Sequence, residues 1–280
     1  MRIKITTDST CDLTSELLKA NDIDVFPLSI IMGEKSLLDG IEIKPEDIYR
    51  HVSAGGEITT TSAINVLDYL GYFGKLSPVY DAVIHVNIGS DFSSCHQNAV
   101  IAAENFSNVF AVDSKNLSSG QGLVALEAAR LASEGLSAKE IITALESFIP
   151  RVDASFLLSQ LDYLAKGGRC SSVAALGANL LRLKASIEVE GGAMRVWKKY
   201  RGAYEKTLME FVRDRLGQYP AEPGRFLVVH TACPPETVQS VCREVEAITG
   251  QAPFATPTAG CTICSHCGPC TLGIMYIRKQ

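Results

Sequence analysis

Strand-like apolar runs alternate with helix-like stretches through the first half of the chain, and this rhythm limits the fold more than any other feature. The runs are Ile3 to Thr6, Val25 to Ile31, Ala82 to Ile88 and Val109 to Val112; Gln97 to Asn105 and Gly122 to Ser133 carry alanine-rich helical spacing. Ser137-Ala138-Lys139-Glu140 has the capping-box pattern, in which a hydroxyl and a carboxylate satisfy each other's backbone N–H groups, and so predicts a further helix start. Short βα units favour a parallel sheet, because parallel neighbours need a crossover and a helix supplies it. In an open sheet of that kind the ligand crevice lies beyond the carboxyl ends of the strands, where Asp8-Ser9, Gly89-Ser90 and Asp113-Ser114 stand.

The rhythm changes near Pro150-Arg151. Leu161 to Lys166 reads as a short helix stopped by Gly167-Gly168, and Arg182 to Val189 as extended chain. Gly191-Gly192 then forms a hairpin turn into Ala193 to Tyr200. A helix over Tyr204 to Leu216, a strand over Phe226 to His230, a helix opened by Pro234-Pro235 and a buried strand over Leu272 to Ile277 follow. A chain of 280 residues exceeds the usual size of one compact core. The expected fold class is therefore α/β in two domains with the ligand cleft between them: residues 1–150 with a parallel sheet, and residues 151–280 with a mixed sheet.

With 46% apolar and 20% charged residues the chain is a folded one, and a formal charge of −5 gives no electrostatic footprint for nucleic acid. The basic stretch Arg195 to Arg201 reads as one solvated strand edge. No run approaches the roughly 18 apolar residues of a membrane span, and Asp8 interrupts any signal-peptide core, so a cytoplasmic location is expected. Nine cysteines in such a chain favour reduced thiols or a metal over a disulfide framework.

Three runs rich in hydroxyls lie at the ends of apolar segments: Thr59-Thr60-Thr61-Ser62, Gly89-Ser90-Asp91-Phe92-Ser93-Ser94 and Ser265-His266-Cys267-Gly268-Pro269. Hydroxyls and free N–H groups at a strand-to-helix turn suit a carboxylate or phosphate, because they donate hydrogen bonds without adding a fixed charge.

The order of these segments resembles the DegV family of fatty-acid-binding proteins over nearly the whole chain. The carrying motifs are ITTDSTCDL from Ile5, the Thr61-Ser62 pair, IGSDFSSCHQNA from Ile88, VDSKNLSSGQG from Val112, LDYLAKGGR from Leu161, Leu183-Lys184, Arg201 and SHCGP from Ser265. The resemblance implies a non-catalytic lipid-binding subunit with no required cofactor. Two α/β domains would clamp a long-chain fatty acid and present its carboxylate to a separate, ATP-dependent fatty acid kinase subunit that makes acyl phosphate. Carried over residue by residue, Thr61, Ser62, Ser93 and Ser94 would bind the carboxylate, and Arg169, Arg201 and His266 would mark the phosphoryl-transfer or partner face. Ala174, Leu176, Leu180 and Leu181 are candidates for the tail slot.

The chain departs from the family pattern at Ala63-Ile64-Asn65, at Ser94-Cys95 and at Ala185. A larger departure is the run Cys261, Cys264, Cys267 and Cys270, whose spacing could hold zinc or an iron–sulfur cluster and make the protein a redox-sensitive metal binder. A third reading makes the chain an acyl hydrolase, with Ser93 as nucleophile and His96 or His266 as base, or with Cys95 as the nucleophilic thiol.

Overall fold

The structure is a computed structural model and describes residues 1–171 and 183–280; the tail-slot candidates Ala174, Leu176, Leu180 and Leu181 lie outside the described residues. In chain order the strands are β1 (Ile3–Asp8), β2 (Ile23–Phe26), β3 (Ser29–Met32), β4 (Lys35–Leu38), β5 (Thr60–Ser62), β6 (Ala82–Asn87), β7 (Val109–Asp113), β8 (Val152–Leu157), β9 (Leu183–Glu190), β10 (Ala193–Arg201), β11 (Ala221–Thr231) and β12 (Thr271–Arg278). They form a four-stranded sheet in the order β2-β1-β6-β7, a three-stranded sheet β4-β3-β5 and a five-stranded sheet β10-β9-β8-β12-β11. The first sheet is parallel at every pairing, as the βα rhythm predicts. In the second large sheet the five named strands pair antiparallel, and parallel bridges Leu227–Ala255 and His230–Thr258 at the edge of β11 make it mixed, as expected.

The run from Val25 to Ile31 is two strands in two sheets. Pro27 has no N–H to give a ladder, so the chain leaves the parallel sheet there and re-enters as β3. Elsewhere local chemistry acts as its sequence predicts. The Ser137 hydroxyl accepts the Glu140 N–H while the Glu140 carboxylate takes the Ser137 N–H, opening the helix Ala138–Phe148. Gly168, at φ +68°, ends the helix Asp162–Gly167, and Gly191 and Gly192 at +61° and +93° turn β9 into β10.

The five-stranded sheet separates two cores, because alternate residues of a strand face opposite sides. Leu227 and Val229 face the parallel sheet, whereas Phe226 and Val228 face the helices Tyr204–Gln218 and Pro235–Thr249. The helix Ser118–Ser133 is filling between the two large sheets and is buried on nearly all sides. A fully buried charge network stiffens the far side: Arg215 grips Asp153 through two hydrogen bonds of 3.0 and 2.8 Å and reaches Glu188 at 2.5 Å. Among the described residues no helix is long and apolar enough to cross a membrane.

Candidate functional site

Thr61 comes to the site on β5, a strand of three residues held edge-on to β3 by the pair Ile30–Thr61. Asn65 ends this segment as the N-cap of the helix Val66–Leu76, its side chain accepting the Asp68 N–H at 2.9 Å. Ser93 and Ser94 end the loop after β6 and open the helix Cys95–Ala103. That loop is tied down at both sides. Asp8 accepts the Ile88 N–H at 2.7 Å, and Asp113 accepts the Ser90 N–H and hydroxyl at 3.1 and 2.7 Å. The carboxylates at the ends of β1 and β7 therefore shape the turn and are spent on doing so.

His266 rides on the short helix Cys261–Cys267, whose first N–H groups lack partners within the helix. Two acidic side chains distant in sequence supply them. Asp12 accepts the Gly260 N–H at 2.7 Å, and Asp39 accepts those of Cys261 and Thr262 at 2.9 and 3.0 Å together with the Thr262 hydroxyl at 2.7 Å. Negative charge at a helix N-terminus also complements the helix dipole. The helix is thus fixed from its N-terminal end by the loops after β1 and β4, and His266 inherits that position.

These elements enclose a cavity of about 380 Å³, within the usual range for small-molecule sites. Its polar lining gathers Thr61, Ser62, Ser93, Ser94, Asn98, Arg169 and His266, and Leu28, Phe92, Leu117, Phe156, Met194 and Ile263 are among its apolar walls. Thr61 Oγ1 lies 2.9 Å from His266 Nε2, and behind them Thr59 Oγ1 lies 2.7 Å from Ser265 Oγ. Burial, aided by the Arg169 guanidinium, lowers the His266 pKa to about 4, so the imidazole is neutral at pH 7. Its Nδ1 is enclosed without a hydrogen-bond partner. A buried orphan N–H is rarer than an orphan acceptor, which assigns the proton to Nε2. Nε2–H then donates to Thr61, whose own hydroxyl proton is left to point into the cavity.

Ser93 Oγ accepts the Cys95 N–H and donates to the Cys95 thiol, each at 3.2 Å. A thiol is a weak acceptor, so this hydroxyl is readily turned toward a better one. Arg169 follows the Gly168 stop and donates to the Gly167 carbonyl at 2.7 Å with one nitrogen of its fork. The site therefore offers hydroxyl protons and one guanidinium together with aliphatic and aromatic carbon.

Thr61, Ser62, Ser93, Ser94, Arg169 and His266 are thus brought together, and Arg201 is not. Arg201 lies at the end of β10 in a separate groove with Lys198, Lys199, Tyr200 and Arg213. The metal reading of Cys261, Cys264, Cys267 and Cys270 does not fit: among the described residues no group of three or more His, Cys, Asp or Glu is placed to hold an ion. The first three lie on a helix, where residues three apart are neighbours, but their thiols do not converge on a common point. The thiols of Cys261 and Cys264 go to the carbonyls of Ile43 and Ala259, while Cys270 lies past the turn beyond Gly268. The hydrolase arrangement is not formed either. Ser93 bonds to Cys95 and His266 to Thr61, His96 Nδ1 has no partner, and burial pushes the Cys95 thiol up to about 11. Sequence reasoning missed Asn98, which lines the cavity while donating to the Ile64 carbonyl at 2.8 Å, and the two helix-capping carboxylates Asp12 and Asp39.

The sequence model described as "Uncharacterised protein, DegV family" matches residues 2–279. A DegV domain-containing protein of Caldanaerobacter subterraneus subsp. tengcongensis is 31% identical, with 99% of each chain covered. The protein DegV of Bacillus subtilis is 29% identical over the full length of both. Among solved structures, a fatty-acid-binding DegV family protein from Thermus thermophilus superposes with a TM-score of 0.88 at 27% identity, and the fatty-acid-binding DegV of Bacillus subtilis with 0.85 at 28%, each covering 100% of both chains. The match across the whole length places this chain in the DegV family.

Proposed function

We propose that this protein binds a long-chain fatty acid, with the carboxylate against Thr61, Ser62, Ser93 and Ser94 and the tail along the apolar walls of the cavity. The observation that carries the reading is that Thr61, Ser93 and Arg169 line one cavity together with Leu28, Phe92, Leu117, Phe156, Met194 and Ile263. Burying about fifteen methylenes at roughly 0.8 kcal/mol each supplies on the order of 12 kcal/mol before the costs of association. A carboxylate left unpaired there would cost several kcal/mol, which charge-assisted hydrogen bonds from the hydroxyls offset. The tail gives affinity and the head gives orientation.

We further propose that residues 1–150 and 151–280 act as the two halves of the clamp, and that the protein works as a non-catalytic subunit in the cytoplasm. It would present the carboxylate to an ATP-dependent fatty acid kinase subunit. Arg169 and His266, beside the head group, would face the transferred phosphoryl group, and Arg201, in its own groove, would belong to the partner contact. Native mass spectrometry of the purified protein tests the binding step. A mass excess released by organic solvent as a fatty acid is expected, and the Thr61→Val/Ser93→Ala variant should lose it. Equal lipid retention by that variant would overturn the head-group assignment. Acyl phosphate formation with the kinase subunit and ATP tests the presentation step, and its failure with lipid-loaded protein would overturn that step alone.

A further inference from the structure

The last cysteine of the run has a partner outside it. β11 and β12 end side by side at the pair Thr231–Thr271, and the Cys270 N–H donates to the Thr231 carbonyl at 2.7 Å. Next to that pair the backbone takes positive φ at Ala232 (+44°) and Cys270 (+55°). The crossing is reciprocal: Cys233 Sγ reaches the Thr271 carbonyl at 3.4 Å, and Cys270 Sγ reaches the Ala232 carbonyl at 3.6 Å. Each thiol thus lies against the carbonyl of the residue adjoining the other cysteine, which places the two side chains on neighbouring strand ends. Cys233 is buried and Cys270 half-buried, so an oxidant has one point of entry and the second sulfur waits behind it.

We propose that Cys233 and Cys270 are a thiol-oxidation site that closes to a reversible disulfide, with low-molecular-weight disulfides as the oxidant. The Cys270 thiolate attacks one sulfur of the small disulfide, forming a mixed disulfide and releasing one small thiolate. The Cys233 thiolate then attacks Cys270 Sγ and expels the second. The protein gives up two electrons and two protons, and the small disulfide becomes two thiols. Of the other cysteines in the run, Cys261 and Cys264 are buried and directed at the carbonyls of Ile43 and Ala259, and Cys267 is buried in the core.

The bond would fasten the turn that follows His266. That turn already leans on the strand end through the Thr231 hydroxyl, which donates to the Gly268 carbonyl at 2.5 Å, and on Ser159, which donates to the Pro269 carbonyl at 2.8 Å. A covalent link makes these contacts permanent and slows any opening of the cavity wall that carries His266. This consequence rests on the fatty-acid reading, whereas the disulfide does not. Burial holds the Cys233 thiol up at about 12 and raises that of Cys270, so oxidation should accelerate as pH rises toward the thiol range.

The test is incubation of the reduced full-length protein with oxidised glutathione, followed by intact mass and peptide mapping. The expected result is loss of the mass of two hydrogens, a linked Cys233–Cys270 peptide, and reversal by dithiothreitol. Cys233→Ser should instead stop at a stable glutathione adduct on Cys270. A stable adduct on wild-type Cys270, a linked peptide joining Cys261, Cys264 or Cys267, or no linkage under conditions that modify Cys242 would each overturn the site. Exchange of a fluorescent fatty acid, read on oxidised and reduced protein, should slow several-fold on oxidation. Unchanged exchange in protein that carries the disulfide would remove the lock and leave the oxidation site standing.

Discussion

Gly167 and His266 share one space: a methyl group built on the glycine would overlap the ring nitrogen Nδ1 of the histidine. The absent side chain is what lets the Nδ1 edge of the imidazole come up against the helix Asp162–Gly167 with Nε2 on Thr61. Gly167→Ala should therefore displace the ring, cost about 1–3 kcal/mol of stability through overpacking, and weaken fatty-acid binding about tenfold through the lost orientation of Thr61. Titration calorimetry and urea unfolding read the two effects separately. Gly168→Ala is the control, since it strains a left-handed helix stop without touching the ring. Wild-type affinity in Gly167→Ala would show that the imidazole does not set the site.

The same histidine should leave a mark on acid stability. Its pKa is about 4 in the fold against 6.5 unfolded, so between these values the unfolded chain binds a proton that the folded chain refuses. Stability from this group is complete above pH 6.5 and declines as pH falls toward 4, by on the order of 3 kcal/mol in total. His266→Gln should lack that decline. Urea midpoints of both proteins across pH 4–7 check it, and parallel curves would refute the enclosed, neutral imidazole.

Asp12 titrates in the opposite sense. Burial, with Asp39 and Asp8 adding repulsion, raises its pKa to about 7 from 3.8, so the folded chain holds a proton that the unfolded chain has lost. Stability from this group is fully present below pH 3.8 and is lost as pH rises through 7. Asn at this position can still accept the Gly260 N–H and exchange a hydrogen bond with Ser118 without ever ionising. Asp12→Asn is expected to be more stable than the wild type at pH 8, with the gap closing toward pH 5. A gap that does not depend on pH would mean that Asp12 stays ionised.

Much of this architecture was legible because the signals are local. The βα rhythm, the Ser137–Glu140 capping box, the Gly167-Gly168 stop and the Gly191-Gly192 hairpin each act within a few residues and appear where the sequence puts them. Pro27 was an available signal for the break between β2 and β3 that a continuous apolar run obscured. The strand order of the second sheet and the caps of the His266 helix were not legible, because they depend on distant pairings: Asp39 and Cys261 are 222 residues apart. The cysteine run misled for a related reason. Spacing states that thiols are near in sequence, but those of Cys261 and Cys264 are taken by the carbonyls of Ile43 and Ala259, and a strand end gives Cys270 to Cys233.

Arg215 marks the other side of that boundary, for its position was legible and its partners were not. It follows Leu208, Phe211 and Val212 on the buried face of the helix Tyr204–Gln218, a place where helical spacing calls for an apolar residue. It lies between Trp197 and Tyr219, with Asp153 and Glu188 satisfying its fork. Removing one partner of a buried charge network typically costs about 3–5 kcal/mol, because the charges left behind have no water. Here Arg278 still contacts Asp153 at 2.7 Å and Arg195 still contacts Glu188 at 2.6 Å, so each stranded carboxylate keeps one cation. Arg215→Met is therefore expected at the low end, about 3 kcal/mol, measured by urea unfolding at pH 7. Adding Glu188→Leu should recover part of that loss by removing one stranded charge. Failure of the second substitution to recover any stability would locate the cost in the lost stacking on Trp197 and Tyr219 instead of in the unpaired carboxylate.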